Sequence, residues 1–196
     1  TRASSVAARL IFAWFAAWLL LVRVPYMFVT FQVNTWWAAG QMSVMTAAAW
    51  VLFVWFGSDG IASRLAFLTG DRGLRLGRAL FGVGLIPFGI AHFMYMDATA
   101  PLIPAWIPWH VPLAYATGAA FIAGGLANIT GVWGRLAAIL SAWQIGGFTA
   151  FVWVRVIAKG NANAGQWREF ITSVTLTAGA WMVADGYRAV RGKATL

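Results

Sequence analysis

Long apolar runs, interrupted by glycine, proline and small clusters of charge, follow one another along the whole chain. A helix needs about 20 mostly apolar residues to cross roughly 30 Å of hydrocarbon. Six runs meet that length, at about residues 6–24, 36–56, 74–96, 109–129, 136–157 and 167–187. None alternates apolar and polar residues with period two, as the strands of a membrane barrel would. Hydrocarbon offers no partner to a backbone N–H or C=O, so each run has to satisfy its own backbone as a helix. The pattern predicts an all-α, polytopic transmembrane bundle of about six spans.

The breaks between runs are informative too. The first run ends at Pro25, with Tyr26, Phe28 and Phe31 extending it into the interface. The second stops at Gly57-Ser58-Asp59-Gly60, a strong turn signal. Residues 61–73 form a connection carrying Arg64, Asp71 and Arg72, in which Ile61, Leu65 and Leu68 fall near one face, as in a short interfacial helix. Pro87 is expected to kink the third run and makes it a candidate hinge. Residues 97–108 make a turn rich in Pro and Trp, and residues 188–196 form a basic tail with Arg188, Arg191 and Lys193.

The runs also repeat. Ala8-Arg9-Leu10 opens the first as Gly134-Arg135-Leu136 opens the fifth, and Val22-Arg23-Val24 closes the first as Val154-Arg155-Val156 closes the fifth. Ser43-Val44 and Thr46-Ala47-Ala48-Ala49-Trp50 in the second are echoed by Ser173-Val174 and Thr177-Ala178-Gly179-Ala180-Trp181 in the sixth. Helices one and two thus resemble five and six as a parallel repeat, and three and four have no upstream copy. Residues 1–60 are expected to be a two-helix partial repeat, followed by a four-helix unit over residues 74–187.

Composition narrows the function classes. Of 196 residues, 61% are hydrophobic and 10% charged, against about 45–50% and about 25% in soluble domains. The absence of cysteine excludes a disulfide, a thiolate metal site or an iron–sulfur cluster within these residues. The formal charge of +9 does not indicate nucleic acid, because its basic residues sit at the ends of apolar runs rather than as a stripe on a soluble face. Anionic membrane lipids are the expected partners of that charge.

Charge also predicts orientation. With six spans, Arg2, Arg9, Arg64, Arg72, Arg75, Arg78, Arg135, Arg188, Arg191 and Lys193 share one side, against Arg23, Arg155, Lys159 and Arg168 on the other. The positive-inside rule then puts both termini in the cytoplasm and the Pro/Trp turn outside.

Candidate chemistry gathers near that turn. His92 shares a helix face with Leu85, Gly89 and Tyr95, and an ionisable residue at membrane depth suggests function, although hydrogen bonding between helices explains it about equally well. His110, after Trp106 and Trp109, reads as an interfacial polar residue. Arg23 and Arg155 occupy equivalent places in the repeat, where snorkelling competes with a role as an inward-facing anion-binding pair. Asp97, Glu169 and Asp185 are candidate countercharges. Two histidines with no further support are a weak haem signature, so haem is not expected, and no cluster of metal-ligand type occurs.

Three segments carry a family resemblance: Gly89-Ile90-Ala91-His92-Phe93, Pro104-Ala105-Trp106-Ile107-Pro108, and Thr117-Gly118 through Phe121 to Gly124-Gly125. Together with Arg78-Ala79-Leu80-Phe81-Gly82 they resemble the DoxX family of bacterial membrane proteins, best over about residues 74–157. The resemblance implies a four-helix DoxX unit after a partial one, in the bacterial cytoplasmic membrane and associated with redox complexes. One branch of that family resembles the membrane subunit of a thiosulfate:quinone oxidoreductase, and another partners soluble redox enzymes. It also implies an accessory or quinone-facing subunit among other membrane subunits, with quinone as the ligand to test and His92, Tyr95, Trp106, Trp109 and Arg155 as residues to bind it. The chain departs from thiol-handling members by lacking cysteine, and carries Phe121 where many members have an acidic residue. A purely structural subunit and a small-molecule or lipid transporter are the alternatives.

Overall fold

The structure, a computed structural model of the chain, describes residues 2–57, 60 and 63–191. Six long helices account for almost all of it: α1 (Arg2–Val29), α2 (Val33–Gly57), α3 (Gly70–Met94), α4 (His110–Thr130), α5 (Gly134–Ala158) and α6 (Ala164–Arg191). The first five are long and apolar enough to cross a membrane, and the protein is an all-α polytopic membrane bundle. At 28 residues α6 has the length as well, but Thr172, Ser173, Thr175, Thr177 and Asp185 make it less apolar. No strand occurs among the described residues.

Several boundaries differ from the sequence expectation, each for a local reason. The first helix runs past Pro25 to Val29, because a π-helical turn at Leu19–Arg23 has already shifted the backbone pairing that Pro25 would break. The connection before α3 holds a 3-10 helix at Ser63–Leu68, in which Leu65 and Leu68, three residues apart, fall on one side. In α3, Pro87 withholds one N–H inside a helix that continues to Met94. The fourth helix begins at His110, one residue after Trp109, which is left-handed with φ 59°. Asn163 and Gln166 cap α6 reciprocally: each side-chain oxygen accepts from the other's backbone N–H, at 2.9 and 3.0 Å. Ser58 and Asp59 of the predicted turn, Ile61 of the predicted interfacial helix and Lys193 of the tail lie outside the described residues.

Consecutive helices run antiparallel, and five of them close into a ring. Helix α2 packs on α3, α3 on α4, α4 on α5, α5 on α6, and α6 returns to α2. An odd ring of alternating helices must contain one parallel contact, and here it is α2 with α6, where Gly179 packs on Ala48 and Gly186 on Val51. Helix α1 lies outside the ring against α2. Glycines on α3 allow the closest approaches: a Cβ on Gly84 would lie 2.8 Å from the Gly40 carbonyl of α2, and one on Gly89 would lie 2.5 Å from the Gly118 carbonyl of α4. Val44, Val51, Phe81, Leu85, Ala138, Ala142, Ala180 and Val183 fill the ring interior.

Helix pairs α1/α2 and α5/α6 share a packing register. The Thr46 hydroxyl of α2 donates to the Met42 carbonyl of its own helix at 2.7 Å and lies 3.3 Å from the Phe15 carbonyl of α1, and the counterparts of Thr46 and Phe15 131 positions on, Thr177 and Gly146, are also neighbours. The π turn of α1 is matched by one at Thr149–Val154 in α5.

Candidate functional site

A cavity of about 100 Å³ lies inside the ring, towards the end where α3 turns into α4. All five ring helices line it. Phe88, Ala91 and His92 come from α3, Phe121 from α4, Ile145, Phe148 and Trp153 from α5, and Thr172, Ser173 and Leu176 from α6. Helix α2 adds Trp37 and Gln41, and the turn contributes Thr99 and Leu102.

His92 stands in the α3 wall of this cavity. The Nδ1–H donates to the Phe88 carbonyl one helical turn back at 2.7 Å. A carbonyl only accepts, so this bond fixes the neutral ring as the Nδ1–H tautomer and leaves Nε2 as an acceptor. That Nε2 is buried and has no partner. The rings of Phe121 and Phe148 stand 5.5 and 5.7 Å from the imidazole, centroid to centroid. This acceptor thus lies against flat apolar rings, where leaving it unpaired costs about 1–3 kcal/mol.

Ser173, in the α6 wall, belongs to a hydroxyl cluster that extends behind the cavity. Thr149 sits in the π turn of α5, and its hydroxyl bonds Ser173 at 2.7 Å and Thr177 at 3.0 Å on α6. Gln144 of α5 donates to the Thr117 carbonyl of α4 at 3.0 Å. These bonds join α4, α5 and α6 around the cavity.

A second space adjoins the first. This groove of about 440 Å³ opens between α1, α2 and α6, and it shares Trp37, Gln41, Glu169 and Thr172 with the cavity. Arg23 and Arg168 line it, with Arg168 bridging Glu169 at 3.1 Å. The Arg23 Nε is buried without a partner.

At the far end of the ring Arg78, counted among the basic residues of the connection, is buried at 8% exposure. Its Nη2 donates to the Gly186 carbonyl of α6 at 3.0 Å, and its guanidinium lies 4.1 Å over the Tyr187 ring. Tyr187 donates to Asn128 Oδ1 of α4 at 3.0 Å, so one polar cluster ties α3, α4 and α6 together.

Of the residues singled out from sequence, His92 lines the cavity and Arg23 lines the groove beside it. Tyr95 is exposed just past the end of α3. Trp106 and Trp109 are 71% and 74% exposed, and Trp106 touches only the edge of Phe151 among aromatic rings. The His110 Nε2 lies 3.1 Å from the Pro104 carbonyl, a bond within the turn, so the two histidines do not face a common space. Arg155 is exposed and lines neither space with Arg23. Of the candidate countercharges, Glu169 reaches the groove, whereas Asp185 pairs with Arg188 at 3.5 Å. Sequence reasoning passed over Trp37, Gln41, Phe148, Thr172 and Ser173. The one signal for them was a polar Gln41 in an apolar run, matched by Thr172 in the repeat. Among the described residues no group of His, Asp and Glu could hold a metal ion.

No protein-family model matches the chain, and neither does any curated protein or solved structure.

Proposed function

We propose that the chain is a DoxX-like protein of the bacterial cytoplasmic membrane, with both termini in the cytoplasm. It serves as a quinone-facing accessory subunit of a larger membrane redox complex and is not catalytic by itself. One observation carries the reading: the unpaired Nε2 of His92, buried between Phe121 and Phe148 beside a cavity walled by five helices. A planar ring with a polar substituent suits such a place, since aromatic faces take the ring and the unpaired acceptor orients it. With Nδ1–H committed to Phe88, the acceptor fits the hydroxyl of a quinol, while the carbonyl of a quinone calls for a protonated imidazole. Phe121, which replaces the acidic residue of many members of the resembled family, keeps the surroundings of the His92 ring apolar.

Binding and packing make different predictions for His92. Quinone is extracted and quantified after purification in mild detergent, and quinol binding is then titrated. His92→Phe is expected to weaken binding at least about tenfold, equivalent to about 1.4 kcal/mol. Stability is expected to stay within about 1 kcal/mol of wild type, because the substitution removes an unpaired group along with its Phe88 bond. A preparation that neither retains quinone nor takes up quinol overturns the ligand reading. For orientation, a cysteine replacing exposed Trp106 is the only thiol in the chain. A membrane-impermeant maleimide is expected to label it from outside the cell.

A further inference from the structure

The cavity has a counterpart, and it is open. Its α6 wall is formed by Glu169, Thr172, Ser173 and Leu176. The residues 131 positions earlier, Ala38, Gln41, Met42 and Met45, form the α2 wall of the groove beside α1. The converse also holds: Trp37 and Gln41 face the cavity from α2, and their counterparts Arg168 and Thr172 face the groove from α6. Helices α2 and α6 touch in parallel through Ala48 and Gly179, which are themselves 131 apart. A residue packed on its own counterpart marks a pseudo-twofold axis, here running along the helix axes. It exchanges α1 with α5 and α2 with α6, and it turns the cavity into the groove.

That axis has nothing to exchange with α3 and α4. On one side of the α2/α6 pair they complete a five-helix ring. On the other, α1, α2 and α6 make three members of a second ring with two places empty. The exposure pattern agrees with this. On α2, Gly40, Ser43, Val44 and Ala47 are buried under α3. Their counterparts on α6 (Ile171, Val174, Thr175 and Ala178) are all exposed. On α5, Gln144 reaches α4, whereas its counterpart Ala13 on α1 is exposed.

We infer that this face receives a transmembrane helical hairpin from a partner membrane protein, one span against α6 and the other against α1, as α3 and α4 pack against α2 and α5. The groove chemistry favours protein over acyl chains. Gln41, Arg23 and Arg168 line the groove beside Thr30 and Gln32 of the α1–α2 turn, and the buried Arg23 Nε lacks an acceptor, which hydrocarbon cannot supply. The partner therefore carries a carboxylate or a free carbonyl at the level of Arg23. Ile171, Val174 and Trp181 are too large for glycine-close contact, so its span lies at an ordinary interaxial distance of about 8–10 Å from α6.

The test uses the full chain in its native membranes, with a photo-reactive benzophenone amino acid at Val174 or Ala13, and at Val83 on α3 as a lipid-facing control. Val174 and Ala13 are expected to give adducts with the same polypeptide, on peptides from two neighbouring apolar segments of it, and Val83 to give none. Ala178→Leu, at an exposed position on the same face, is expected to abolish the Val174 adduct while leaving the melting temperature of the purified chain unchanged. Adducts with lipid alone, with a segment of this same polypeptide preceding α1, with a second copy of it, or with a single span or soluble region of another protein overturn the inference.

Discussion

Two sides of one helix pair can be compared directly. Facing α3 and α4, the α2/α6 pair belongs to a closed ring whose interior residues Val44, Phe81, Leu85, Ala138 and Val183 are solvent-free. Facing away, the same two helices meet only α1, most of whose surface is exposed. The residues at equivalent positions differ accordingly. Small Gly40, Ser43 and Ala47 on α2 let the α3 backbone come close, whereas Ile171, Val174 and Ala178 on α6 keep a neighbour at a distance. What separates the two sides is the space each leaves beside its backbone, since both faces are compatible with a bilayer.

That contrast can be broken most forcefully at Gly82, whose added Cβ would run into the Gly125 carbonyl of α4. Gly82→Val is expected to destabilise the bundle by about 3 kcal/mol, since neither backbone can yield without opening the ring. Ala178→Val, on the open face, is expected to stay within about 0.5 kcal/mol in the isolated chain. Reversible unfolding in mixed micelles measures both, and equal effects would erase the distinction.

A smaller loss is expected at the far end of the ring. Arg78→Ala removes the bond to Gly186 and the contact with Tyr187, together worth about 2 kcal/mol. The same unfolding measurement detects it, and the double variant with Tyr187→Ala should lose less than the sum of the single changes because the two side chains share one contact.

The mildest pair compares the repeats themselves. Thr149→Val in α5 breaks two hydroxyl contacts to α6 and is expected to cost about 1 kcal/mol. Thr46→Val in α2 gives up a 3.3 Å contact with α1 and is expected to cost about 0.6 kcal/mol. The reverse order would mean that α1 is held more firmly than its exposure suggests.

Much of this architecture was legible before any coordinates, for identifiable reasons. Hydropathy located all six helices because bilayer thickness leaves few other solutions for runs of that length. It misplaced the end of α1, since a π turn that carries a helix through Pro25 has no hydropathy signature. The repeat was readable from Thr46-Ala47-Ala48-Ala49-Trp50 and its copy. That α2 would touch α6 was not, because a parallel contact between helices 131 positions apart leaves no local trace. The cavity depended on that contact. His92 stood out as an ionisable residue in an apolar helix. Gln41, Thr172 and Ser173 looked like scattered polar residues until the ring brought them together, and Trp106 and Trp109, conspicuous in sequence, lie exposed at its rim.

The parallel closure between α2 and α6 also sets an order of events during synthesis. At about 5–20 residues per second, α6 emerges on the order of ten seconds after α2. For that interval Val44, Ala48 and Val51 have no α6 beside them, and the His92 chamber has only part of its wall. A nascent chain halted before Thr172 cannot assemble the pocket, whatever helices it has already inserted. Quality control that senses the unsealed α2 surface would therefore act on translation products that stop short of α6.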